Sequence, residues 1–154
     1  MSGPATTIAG PLTTNQIGAV AETAIVHEAV RLGVGVFKPV MDERCDLILD
    51  LHPTLLRVQC KTAVKRDDVL VIACYSSRRS ANGLLKRMYT ADEIDAVAAY
   101  CADLRRCFLL PMSWIGARGT VRLRLADTRN NQRQGVNWAD QFDFAATLSR
   151  LKGP

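Results

Sequence analysis

An α+β domain is the fold class that this 154-residue sequence predicts, and three observations lead to it. A capped helical segment runs from Thr13 to a stop at Gly33. Short apolar runs separated by polar or proline-bearing turns then fill Val34 to Leu125, the pattern of strands. A second helical segment, Asn137 to Arg150, closes the chain. Helix, strands, loop, strands and helix in that order make an α+β arrangement.

The first helix takes Thr13 and Thr14 as N-caps, turns Ile17, Val20, Ala21, Ala24 and Ile25 inward, and carries Glu22. Residues Met1 to Leu12 ahead of it are predicted to be a flexible tail without the regions of a signal peptide. Val34 to Val40, Cys45 to Leu51, Leu55 to Ala63 and Val69 to Cys74 are four successive strands, with turns at His52-Pro53-Thr54 and Arg66-Asp67-Asp68. Tyr75 to Met88 is predicted to be a polar loop, because Ser76, Ser77, Ser80, Asn82 and Gly83 stand among four basic residues. Thr90 and Glu93 form a capping box for one short helical turn. Ala96 to Cys101 and Cys107 to Leu110 form a hairpin ended by Pro111. Thr120 to Leu125 alternates inward Val121, Leu123 and Leu125 with outward Arg122 and Arg124. Asn130-Asn131-Gln132 is a polar loop, and no repeat or linker divides residues 13–150, so one domain with one active site is expected.

Apolar content of 48% with 23% charged residues suits a globular protein, and no apolar run approaches the roughly 18 residues of a membrane span. An intracellular, nucleoid-associated protein is expected. Five cysteines, Cys45, Cys60, Cys74, Cys101 and Cys107, without a C-x-x-C pair argue against a disulfide framework and a zinc site. Net charge is +5 and arginine outnumbers lysine threefold. Acidic residues crowd the first third, and basic ones follow at Arg57, Lys61, Lys65, Arg66, Arg78, Arg79, Lys86 and Arg87, then at Arg118, Arg122, Arg124, Arg129 and Arg133. Such a surface suits a polyanion gripped through its phosphates, although a solvated basic face has the same composition.

The chemistry lies in Cys45-Asp46 and Gln59-Cys60-Lys61. Side chains alternate along a strand, so Gln59 and Lys61 share one face and Cys60 takes the other. If the second and third strands form a hairpin about His52-Pro53, the residue opposite Asp46 is 59, 60 or 61. Only 59 or 61 brings Asp46 to the face of Lys61. Pairing Asp46 with Gln59 also sets Cys45 opposite Cys60, with both thiols expected on the core side. That polar face would hold a carboxylate, an amide oxygen and an ammonium, a fit for a hard divalent cation. Glu22 adds a second carboxylate if the helix packs its Gly18 side against the hairpin. Asp46 as a turn residue, Lys61 as an edge-strand charge and Glu22 as a solvated helix residue are the plainer alternatives. Asp42 and Glu43 belong to a solvated turn, and neither His27 nor His52 enters the site.

The chain resembles the PD-(D/E)xK nucleases, and within them the endonucleases associated with group I introns. The likeness runs from about Asn15 to Phe144 through Gln16-Ile-Gly-Ala-Val-Ala-Glu22, Phe37-Lys-Pro, Cys45-Asp-Leu-Ile, Arg57-Val-Gln-Cys-Lys-Thr62, Tyr75-Ser-Ser, Tyr89-Thr-Ala-Asp-Glu-Ile-Asp95, Leu110-Pro111, Asn130-Asn-Gln132 and Asn137-Trp138. D-x₁₂-Q-x-K alone is a weak motif; the ordered series carries the specificity. The resemblance implies a restriction-endonuclease-like core, a mixed central sheet flanked by helices, and a phosphodiesterase that cuts duplex DNA with Mg²⁺, Mn²⁺ substituting. It implies a catalytic set of Glu22, Asp46, Gln59 and Lys61, with Asp46, Glu22, Gln59 and the Cys60 backbone carbonyl on the metal. Gln59 stands where the family usually has Glu or Asp, and Cys45 where its name has Pro. DNA contacts are expected from Gln16, Ser76, Ser77, Arg78, Arg79, Lys86, Arg87, Arg122 and Arg124. Two strand cuts need two sites, so a dimer or tetramer is expected. A junction-resolving or repair nuclease of the same fold, and a DNA-binding protein that has lost catalysis, are the alternatives.

Overall fold

The computed structural model describes residues 6–127, 130 and 134–154. Arg129, Arg133, Asn131 and Gln132, which the sequence assigned to a basic series and a polar loop, lie outside the described residues. Helix α1 spans Thr14–Arg31. The Thr13 hydroxyl accepts from the Gln16 backbone N–H, while the Gln16 side chain accepts from the Thr13 N–H. Gln16, expected at DNA, thus closes a reciprocal capping box. Gly33 follows the helix at φ +79°, the left-handed conformation that ends it at low cost.

The buried stripe of α1 is Ala21, Ile25 and Ala29. Ile17 and Val20, expected inside, are 43% and 41% exposed. A side chain at Gly18 would also meet nothing within 4 Å. The helix is therefore seated by its alanines rather than by that glycine.

Strand β1 is Gly35–Phe37, β2 Leu47–Asp50, β3 Leu55–Arg66, β4 Val69–Ala73, β7 Ala96–Cys101, β8 Arg106–Pro111 and β9 Thr120–Arg124. They form one seven-stranded sheet around the long β3. The early part of β3 pairs antiparallel with β2, residues 58–62 pair parallel with β7, and residues 63–66 pair antiparallel with β4, which continues to β9. β8 lies antiparallel beside β7. The sheet is mixed, as the resemblance implies. Even-numbered β7 residues, Ala96 and Ala98, join α1 and the closing helix α3 (Phe144–Lys152) in one core with Leu47, Leu49, Val58, Leu109, Phe144 and Leu148. Odd-numbered Val97 and Ala99 join a second core with Leu70, Ile72, Phe108, Leu110, Val121 and Leu123, closed by the short helix α2 (Met112–Ile115). Burial on both faces explains why β7 reads as an unbroken apolar run.

Further expectations change, among them the start of the closing helix, which is Phe144 rather than Asn137. Tyr75 to Met88 is a separate antiparallel ribbon, β5 (Tyr75–Ser80) and β6 (Gly83–Met88), turning at Ala81-Asn82 with Gly83 at φ +109°. No core face imposes an apolar alternation on it, since every β6 residue is exposed. Thr90 to Glu93 is a turn rather than helix. Glu93 Oε1 accepts from the Thr90 N–H at 3.2 Å, but the reciprocal Glu93 N–H goes to the Thr90 carbonyl at 3.0 Å. The thiols of Cys45 and Cys60 pack against different cores, because the chain leaves the β2 ladder before Cys45. Cys101 and Cys107 likewise sit on opposite faces, and all five cysteines are free.

Candidate active site

The β2–β3 ladder pairs Leu47 with Val58 and ends there. Asp46 lies one residue beyond it, so the expected pairing of Asp46 with Gln59 is not part of the ladder. Asp46 itself extends the pairing by other means: its N–H donates to the Val58 carbonyl at 2.8 Å, and its carboxylate accepts from the Cys60 N–H at 2.9 Å. The N–H and C=O of one strand residue point the same way. The Cys60 carbonyl therefore faces the open end of β2, free of the ladder to β7.

Glu22 reaches this end from α1, where it follows the buried Ala21. Its Oε1 is 2.8 Å from Nζ of Lys38, just after β1. Burial raises the Asp46 carboxyl above its usual range, the Cys60 hydrogen bond works against that, and the charge of Glu22 adds to it. The charge of Lys61 acts on Asp46 in the opposite sense. Burial lowers its ammonium from the ordinary lysine value, although the Asp46 charge opposes this. Its Nζ donates to the Tyr75 carbonyl at 2.9 Å and stands 5.3 Å from the centre of the Tyr89 ring.

Among the described residues, no three His, Cys, Asp or Glu side chains group to hold a metal ion. The oxygen donors at or next to this end of β2 are the Asp46 carboxylate, the Glu22 carboxylate whose charge acts on it, the Gln59 amide on the Lys61 face of β3 and the Cys60 carbonyl. Mg²⁺ commonly uses one or two carboxylates and fills the remaining positions with water and substrate phosphate, so this set fits a hard divalent cation.

The expected DNA-contacting residues fall into three groups. Ser76, Ser77, Arg78, Arg79, Lys86 and Arg87 all lie on the ribbon, whose first residue supplies the carbonyl that holds Lys61. Ser77, Arg78 and Arg79 are exposed, Lys86 lies over the Tyr75 ring and Arg87 pairs with Glu93 at 2.9 Å. Ser76 donates to the Arg87 carbonyl at 3.3 Å. Arg122 and Arg124 lie elsewhere: register carries them through Val71 and Val69 to Val64 and Arg66, on the sheet face opposite Gln59 and Lys61. Arg124 also folds back on the carbonyls of Ala126 and Asp127. Gln16, the third group, is occupied by the cap of α1.

Two residues near the site have no role assigned from the sequence, although Lys38 lies inside the Phe37-Lys-Pro motif. Lys38 neutralises Glu22, and Arg44 joins the site to the ribbon root. Only their neighbours could have pointed to them, Phe37 and Pro39 for Lys38, and Glu43 and Asp46 for Arg44.

The folded chain has the company this geometry leads one to look for. Among solved structures, the bacterial homing endonuclease I-Ssp6803I is similar at 25% identity and a TM-score of 0.74, covering 92% of this chain and 95% of that one. No curated protein matches. Residues 12–145 match the family model described as PD-(D/E)XK endonuclease, a span that contains every residue of the site, and the chain belongs to that family.

Proposed function

We propose that this nuclease is a Mg²⁺-dependent, site-specific endonuclease that hydrolyses phosphodiester bonds of duplex DNA in the manner of a homing enzyme. The observation that carries the proposal is the half-buried Asp46 carboxylate on the Cys60 N–H, acted on by the charges of both Glu22 and Lys61, next to a β3 face that carries Gln59 and Lys61 and beside a basic ribbon. Asp46 is assigned as principal metal ligand, Glu22 as second carboxylate, and the Gln59 amide and Cys60 carbonyl as neutral donors. A bound Mg²⁺ or Mn²⁺ supplies polarisation of the phosphate and a lowered pKa for its water. Lys61 orients the attacking water or stabilises charge growing on the phosphoryl oxygens. Ser76, Ser77, Arg78, Arg79, Lys86 and Arg87 hold the duplex.

Site-specific duplex cutting is supported by the likeness to a homing endonuclease. A chain with one such site needs a second copy to cut both strands, which favours a dimer or tetramer on DNA. Cleavage of a randomised duplex library, with a four-way junction as competitor, tests the proposal. Enrichment of one long cut sequence is expected. Symmetrical nicking of junctions irrespective of sequence would make the chain a junction-resolving nuclease instead, and binding of both without any cut would make it a DNA-binding protein.

A further inference from the structure

Arg44 occupies the joint between the candidate site and the ribbon. Its Nε lies 2.8 Å from Oε2 of Glu93, its Nη1 donates to the Ser76 hydroxyl at 2.8 Å, and its Nη2 donates to the Met88 carbonyl at 3.0 Å. Its Cζ stands 4.2 Å from the centre of the buried Tyr89 ring. Three nitrogens of one guanidinium thus reach β5, β6 and the turn after β6. The side chain is only 23% exposed. Tyr89, whose ring Arg44 covers, is also the ring that the Lys61 ammonium approaches.

A two-stranded ribbon without a core face is marginal by itself in water. Its direction must be set where it meets the body, and Tyr75 with Met88 is the pair at that root. Tyr75 provides the carbonyl that accepts from Lys61. Arg44 is therefore placed to fix both the ribbon and the backbone atom against which Lys61 is set. A lysine could keep the charge but could not reproduce a planar fork with three acceptors and a stacked ring.

We propose that Arg44 is a positioning residue for the nuclease reaction, anchoring the root of the β5–β6 ribbon so that the Tyr75 carbonyl holds Lys61 in its working place. The inference rests on the nuclease proposal above. Arg44 acts through Lys61 rather than on the substrate, so its loss separates rate from affinity. Misplacement of a reacting group by about 1 Å can cost on the order of 100-fold in rate.

The test compares wild type with Arg44→Lys, Arg44→Ala and Glu93→Gln in the full chain. Duplex affinity is measured in chelator, single-turnover cleavage at saturating duplex with Mg²⁺, and amide exchange at the ribbon root by mass spectrometry. Both Arg44 variants are expected to lose about tenfold to 100-fold in rate, to bind within roughly threefold of wild type because the ribbon keeps its own charges, and to exchange faster around Tyr75 and Met88. Glu93→Gln, which weakens one arm by removing its charge and also loosens Arg87 from the same carboxylate, leaves the other two arms intact; it is expected to move rate and exchange the same way by less, and exchange at the ribbon root in this variant carries the test if an Arg44 variant does not fold. A wild-type rate in Arg44→Lys, or an affinity loss as large as the rate loss, would overturn the inference. An inert wild type would sink the nuclease proposal, while exchange would still judge the anchor: unchanged exchange removes it and faster exchange keeps it.

Discussion

Asp46 shows how one side chain serves both fold and chemistry. Its carboxylate stands in for a missing ladder partner of Cys60 while it faces the site. Asp46→Asn retains an oxygen for that N–H, whereas Asp46→Ala leaves it bare, and an unmet buried donor costs about 1–3 kcal/mol. Urea denaturation is expected to show Ala destabilised by about that much relative to Asn, with cleavage lost in both. Gln59 is the weak donor of the set, so Gln59→Glu is expected to lower the Mg²⁺ concentration for half-maximal cleavage, read from a metal titration. That Gln59 and Lys61 share a face of β3 was legible because strand alternation needs only local spacing, whereas Asp46 lies just beyond the β2 ladder and is placed by its bonds to Val58 and Cys60. Lys38 and Arg44 were not, since their partners are remote: Arg44 meets Ser76, Met88 and Glu93, 32, 44 and 49 positions away.

At the scale of elements, the ribbon is where sequence and structure differ most. Asn82-Gly83 is a hairpin signal, but β6 is exposed on every residue and neither ribbon strand has a buried one, so the apolar alternation by which strands are recognised is missing. If the ribbon grips the backbone, exchanging Arg78, Arg79, Lys86 and Arg87 for glutamine flattens the salt dependence of binding by about 0.9 in log–log slope for each phosphate no longer neutralised. Arg122→Gln with Arg124→Gln, on the opposite sheet face, is expected to leave that slope unchanged. A different joint ties β3 to β7: Arg57 donates its N–H to Asp95 Oδ2 at 2.7 Å, its guanidinium also reaches the carboxylate, and Asp95 returns its N–H to the Arg57 carbonyl at 2.8 Å. The Arg57 hydrogen bond holds the Asp95 carboxyl below its ordinary 3.8. A depressed carboxyl stabilises the fold fully above the unfolded value and loses that contribution as pH falls through the folded one. Asp95→Asn is therefore expected to be less stable than wild type at neutral pH, with the gap in thermal midpoint closing in acid below that value.

At the scale of the molecule, helix, strand and helix order points to the α+β class, and the hairpin β7–β8 emerged close to its expected bounds. The parallel pairing of β3 with β7, which assembles the mixed sheet, joins segments about 38 residues apart and carries no local signature. Among the described residues no helix is long and apolar enough to cross a membrane. The proposed reaction is hydrolysis of DNA with a divalent cation at the Asp46 and Lys61 end of β2. Supercoiled plasmid carrying the selected site tests it most directly, incubated in Mg²⁺ with wild type, Lys61→Ala or Asp46→Asn and repeated in chelator. The expected result is linear product from wild type in Mg²⁺ alone, with both variants slower by about 100-fold or more yet still bound to DNA. Cutting by either variant at the wild-type rate, or by wild type in chelator, would contradict the account.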